Sequence, residues 1–146
     1  MKLLNYALIL LFTLGMLSCG GGGDDPDETA PTVTFVSPSP NSSSPTAVTA
    51  GQELPFNISL KDNEKLQSIT FDAPVTKSVN DFLTDFGSKL TTAITSSASI
   101  AGKSDATVTF NVGVLTGAPM GVYEVACNVT DASGNSTKAT AYFEVK

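Results

Sequence analysis

From residue 32 onward, apolar side chains recur at every second position in most of the chain. Thr32-Val33-Thr34-Phe35-Val36 alternates and then meets Ser37-Pro38-Ser39-Pro40, which predicts a first strand ended by prolines and a loop running to Pro45. Leu54, Phe56, Ile58 and Leu60 share one parity, so residues 53–61 read as a half-buried strand, with Pro55 placing its start near an edge. Asp62-Asn63-Glu64 is the turn that follows. Ile69 and Phe71 continue the alternation in a third strand, with Leu66 dropping into the core just before it. Val108, Phe110, Val112 and Val114 form another set, Tyr123, Val125, Cys127 and Val129 the next, and Ala141, Phe143 and Val145 the last. Between the latter two, Asp131-Ala132-Ser133-Gly134-Asn135 is a turn in which Gly134 can supply a positive φ.

The middle of the chain follows a different period. Val79, Phe82, Leu83, Phe86, Leu90 and Ile94 fall at helical spacing, and Ser78 with Asp81 three residues on resembles a capping box with Asp in place of Glu. The spacing predicts a helix over about residues 79–95, weakened at its end by Thr91, Thr92 and Thr95. Two extra strands are the competing reading. Short alternating strands around one inserted helix predict a mostly β fold, an Ig-like antiparallel β-sandwich of about seven strands. Tyr123, at the start of the penultimate strand, resembles the aromatic corner of that fold.

The first 28 residues belong to none of these elements. Lys2 precedes an apolar run from Ala7 to Leu17, which is short of the roughly 20 residues a membrane-spanning helix needs and reads as a secretory signal. Met16-Leu17-Ser18-Cys19 resembles the lipobox of bacterial lipoproteins, although such motifs usually carry Leu where Met16 stands. The resemblance implies cleavage before Cys19 and lipidation of Cys19, leaving residues 1–18 as signal peptide, 19–28 as a lipidated, flexible, acidic tether and 29–146 as the Ig-like domain. Gly20 to Gly23 followed by Asp24, Asp25, Asp27 and Glu28 is too polar to bury. An acidic run after a lipidated Cys also resembles the surface-export signal of Bacteroidetes lipoproteins. It implies an outer-membrane location facing the surface, with a periplasm-facing anchor as the other reading.

Charge and residue types then restrict the chemistry. The formal charge of −6 becomes −7 once Lys2 is removed, and the chain has no arginine, so a nucleic-acid partner is not expected. It has no histidine, which removes the usual general base and the commonest transition-metal ligand. With Cys19 lipidated, Cys127 is left without a disulfide partner, and its parity places it in the core rather than in a nucleophilic site. We therefore expect no catalytic residue, no cofactor and no enzyme activity.

Among the carboxylates, Asp62, Asp81, Asp85, Asp105, Asp131 and Glu64 occupy turns, the helix or strand starts, and nothing in the sequence brings two together for acid–base work. Asp62, Asn63, Glu64, Asp131 and Asn135 are weak candidates for calcium, since turns can offer hard oxygen ligands. They lack the spaced acid series of a calcium loop, so turn formation is the preferred role and no metal site is assigned. For a glycan, the chain lacks tryptophan, and Tyr142, on the exposed parity, is the weak candidate for a stacking platform.

Ala30-Pro31-Thr32-Val33, Asp62-Asn63 and Gly121-Val122-Tyr123 leading to Asp131-Ala132-Ser133-Gly134-Asn135, together with the anchor signal, resemble bacterial Ig-like domains, in particular uncharacterised Bacteroidetes lipoproteins with a single such domain. The histidines that those relatives often carry after the third strand are absent here, so no metal role is carried over from them. The resemblance implies a non-catalytic envelope module, joined to the membrane by its N-terminal lipid, with a protein partner. A glycan-binding accessory lipoprotein of a polysaccharide-uptake system is the alternative.

Overall fold

A computed structural model of the chain describes residues 26–72, 80–97 and 99–146. The signal segment, Cys19 and the Ser78 cap lie outside them. Seven strands and one helix follow in the order β1 (Thr32–Ser37), β2 (Thr46–Val48), β3 (Glu53–Lys61), β4 (Leu66–Asp72), α1 (Asn80–Ser97), β5 (Asp105–Gly113), β6 (Gly121–Asp131) and β7 (Ser136–Val145). They form two sheets, β1-β3-β5 and β2-β7-β6-β4, packed as a sandwich. The expected fold class is the observed one. The period-two residues line the inner faces: Phe35, Leu54, Phe56, Ile58, Leu60, Val108 and Val112 from one sheet meet Tyr123, Val125, Cys127, Val129, Ala141, Phe143 and Val145 from the other.

One pairing departs from the antiparallel expectation. β1 pairs with β3, but the Ser37–Pro40 segment leaves that sheet: Ser39 bridges Tyr142, and β2 then runs parallel to β7, with Thr46 opposite Phe143 and Val48 opposite Val145. The prolines end β1 as expected and also carry the chain across to the second sheet, where three residues suffice to cover the edge of β7. β2 has no sequence signal of its own, because Thr46-Ala47-Val48 is too short to show a period.

The three-stranded sheet is one strand narrower than its partner. The helix α1 fills the opening, packing against β5 and β4. Phe82, Leu83, Phe86, Leu90 and Ile94 form its buried stripe. The Phe86 ring stacks on Phe143 at 5.1 Å, Phe82 meets Tyr123 edge-on at 5.1 Å, and Tyr123 stacks on Phe143 at 5.3 Å. This continuous aromatic wall decides between the helix and the two-strand alternative, since a strand would turn half of these side chains outward. On the helix's polar side, Ser88 and Thr92 return their hydroxyls to carbonyls four residues earlier, those of Thr84 and Ser88.

The Tyr123 hydroxyl donates to the Pro119 carbonyl at 2.8 Å, so the residue does form a tyrosine corner. Alternation of strand direction defines two poles. At one lie the start of β1, the β3–β4 turn, residues 99–104 and the β6–β7 turn. At the other lie Thr49–Gln52 and Val114–Met120, joined by hydrogen bonds from Gly51 N–H to the Val114 carbonyl and from Val114 N–H to the Gln52 carbonyl, both about 3 Å.

Candidate functional site

The first pole gathers acids from three separate parts of the chain. Antiparallel pairing of Thr32 with Lys61 sets the start of β1 beside the end of β3, and pairing of Leu66 with Asp131 sets the start of β4 beside the end of β6. Asp62 directly follows β3, Asp131 is the last residue of β6, and Asp27 lies in the segment that leads into β1. One carboxylate oxygen from each lies within 4.8 Å of the other two.

Each acid also organises its own backbone. Asp131 is the one buried charged residue among those described, with no exposed surface. Its Oδ1 accepts the N–H groups of Ser133 (2.9 Å) and Asn135 (2.8 Å), and its Oδ2 accepts the Asn135 side-chain amide at 2.8 Å. This fixes the turn in which Gly134 takes φ 95°, as the sequence predicted. Loss of solvent pushes the Asp131 carboxyl up, but the hydrogen bonds from the Asn135 side chain and from the Asn135, Gly134 and Ser133 backbone outweigh it and leave the pKa below the ordinary value. The group therefore stays ionised inside the fold.

Asp62 uses Oδ2 to accept the Glu64 N–H at 3.1 Å. Asp27 uses Oδ1 for the Thr29 N–H (2.9 Å) and the Asn63 amide (2.8 Å), and its carbonyl accepts the Asn135 amide at 2.8 Å. The other oxygens, Asp27 Oδ2 and Asp62 Oδ1, are shut off from solvent and accept no hydrogen bond. Asp85 Oδ2 is shielded in the same way, but the Lys89 ammonium stands 2.8 Å from it. No ammonium stands beside Asp27 or Asp62: the ion pairs among the described residues engage Asp72, Asp85, Asp105 and Glu144.

Of the five residues singled out from sequence, the structure thus brings Asp62, Asn63, Asp131 and Asn135 together. Glu64 is exposed and contributes its backbone N–H alone. Turn formation, the preferred reading, is what one oxygen of Asp62 and both of Asp131 perform. Sequence reasoning missed Asp27, which it placed in the flexible tether; its side chain and carbonyl are tied into the domain instead. The sequence carried no signal for it, because only the antiparallel register of β1 against β3 brings the segment ahead of β1 to the end of β3.

The remaining candidates lie elsewhere. Tyr142 is half-buried on the outer face of β7, its backbone N–H donating to the Ser39 carbonyl at 2.7 Å. Cys127 is fully enclosed, and burial pushes its thiol up to about 12 against the weaker opposing effect of a hydrogen bond from the Ala139 backbone. Such a thiol is protonated at physiological pH and unsuited to attack. Between α1 and β4 runs a groove of about 290 Å³ lined by Phe71, Asp72, Leu83, Gly87, Ser88 and Leu90. Asp72 there is paired with Lys138.

The profile of a family described as "Domain of unknown function (DUF4625)" matches residues 17–146. The chain belongs to the DUF4625 family. No curated protein matches it. Among solved structures, this DUF4625 domain is similar to one described as "GspB Siglec domain", at 13% sequence identity and a TM-score of 0.46, over 82% of this chain. It spans 59% of that structure's length.

Proposed function

We propose that the protein is a non-catalytic, lipid-anchored module of the cell envelope whose Ig-like sandwich is held outward to bind a protein partner. The observation that carries this reading is the succession of Lys2, the apolar run Ala7–Leu17, Ser18-Cys19 and the acidic stretch directly before the domain. Its acidic stretch favours outer-membrane anchoring with the domain on the cell surface. The geometry adds a direction. A tether that joins the sandwich at the Asp27 pole leaves the opposite pole, with Thr49–Gln52 and Leu115–Met120, facing away from the membrane. There Met120 is 83% exposed and Val122, on the adjoining start of β6, 51% exposed, and these apolar side chains are what a partner would cover.

The carboxylates of the acid pole are engaged in holding turns and Cys127 is enclosed, which suits binding rather than turnover. Metabolic labelling with a fatty-acid analogue tests the anchor: the protein should take up label, and Cys19→Ala should abolish it. Protease added to intact cells should cut the domain, and a domain left uncut while a known surface protein is cleaved would refute surface exposure. Cross-linking on the same cells should capture a discrete partner that Met120→Asp loses; capture unchanged by that substitution would exclude the outward pole as the contact.

A further inference from the structure

We propose that Asp27, Asp62 and Asp131 bind a calcium ion that staples the segment preceding β1 to this pole of the sandwich. The donors are all oxygen, the preference of a hard cation. Their mutual spacing, within 4.8 Å, fits a single calcium coordination sphere, which at bond lengths of about 2.3–2.6 Å is roughly 4.6–5.2 Å across.

The second observation concerns the oxygens that the turns do not use. Asp27 Oδ2 and Asp62 Oδ1 are hidden from water and accept no donor. A buried carboxylate oxygen left in that state is costly, and a third, ionised carboxylate beside them adds repulsion. Elsewhere in the same fold a shielded carboxylate oxygen, Asp85 Oδ2, is matched by an ammonium. At the acid pole the lysines nearest in sequence, Lys61, Lys65 and Lys103, do not fill that role: Lys61 pairs with Asp105, and Lys65 and Lys103 engage the pole through their backbone carbonyls, which accept the N–H groups of Ala132 and Leu66. A divalent cation supplies the missing charge and the missing partner together.

The donors are also held in advance. Asp131 is fixed by three hydrogen bonds, Asp62 by the Glu64 N–H, and Asp27 by Thr29, Asn63 and Asn135. Asn63 and Asn135 thereby orient the ligands, in the manner of residues surrounding a metal shell. Because Asp27 precedes β1 while Asp62 and Asp131 follow β3 and β6, the ion ties three distant parts of the chain. Binding therefore stiffens the junction between tether and domain.

The experiment uses the protein purified in detergent, stripped with a chelator and titrated with calcium chloride. At about 1 mM calcium, a concentration at which extracellular modules fill, its melting temperature should rise by several degrees, while equal magnesium should do far less. Cleavage by a glutamate-specific protease after Glu28 should slow in step. Asp62→Asn, which keeps side-chain volume at this half-buried position, should weaken calcium binding more than about tenfold while the calcium-free protein still melts cooperatively. Asp27→Asn should do the same without disturbing the β6–β7 turn. An unchanged melting temperature in millimolar calcium overturns the proposal. So does a calcium response of full size in both Asp62→Asn and Asp27→Asn, which would put the ion elsewhere.

Discussion

The aromatic wall beneath α1 and the acid pole are two solutions to burial within one sandwich. In the wall, Phe82, Phe86, Tyr123 and Phe143 are each placed by the period of their own element and held by excluding water. At the pole, Asp27 from the segment before β1 and Asp62 and Asp131 from two turns are held by hydrogen bonds to the backbone and to Asn63 and Asn135. The first kind of contact is indifferent to ions, and the second is open to them. Truncating Phe86, which has no exposed surface, should therefore give the largest effect of all, about 3–5 kcal/mol in urea unfolding. The loss should be equal in chelator and in calcium. A loss below about 1 kcal/mol would mean that the helix is loosely docked, contrary to its buried stripe.

The same contrast explains how much the sequence revealed. Period-two runs predicted β3 over residues 53–61, which is its observed span, and helical spacing predicted residues 79–95 for an element observed at Asn80–Ser97. These signals are local and repeat, so each residue reinforces its neighbours. β2 escaped because three residues cannot show a period and because its partner is chosen by a change of sheet at Ser37–Pro40. At the acid pole the turn chemistry of Asp62-Asn63 and of Asp131 to Asn135 was legible, and the meeting of the two turns was not. Convergence depends on strand direction and pairing, which are properties of the assembled sandwich. Asp27 was lost for a related reason: composition assigns it to a polar tether, and only the register of β1 against β3 brings it to Asp62.

Cys127 sharpens the comparison from the apolar side, because it is a titratable group whose ionisation is governed mainly by exclusion of water. Burial raises its pKa from 9.0 to about 12, so the folded state holds a proton that the unfolded state releases. The stability this contributes is fully present below pH 9.0 and is lost as the pH climbs toward about 12. By about pH 10.5 the unfolding free energy should have dropped by roughly 2 kcal/mol on this account. Cys127→Ala should be less stable near neutrality and should show a flatter alkaline limb, the lysines and tyrosines being common to both proteins. A thiol reagent should reach Cys127 of the native protein only at the rate of unfolding. Parallel alkaline limbs in the two proteins would show that the thiol is not enclosed as described.

Tyr123 belongs to both kinds of region at once, and so gives the smallest and most discriminating test. Its ring completes the wall against Phe82 and Phe143, while its hydroxyl leaves the wall to hold the Pro119 carbonyl in the loop at the outward pole. Tyr123→Phe keeps the ring and deletes one hydrogen bond, so the expected global loss is about 0.5–1.5 kcal/mol. Burial raises the Tyr123 pKa above 10.0, so the variant should also lose part of the fall in stability above that pH. The larger change should be local, with faster hydrogen exchange over Leu115–Gly121 and none at the acid pole, which no contact of Tyr123 reaches. If the global loss matched that of Phe86→Ala, the hydroxyl rather than the stacked ring would be the principal support of this corner. If exchange in the loop were unchanged, the outward pole would keep its shape without the tyrosine corner, and its presentation to a partner would have to come from the hydrogen bonds between Gly51, Gln52 and Val114.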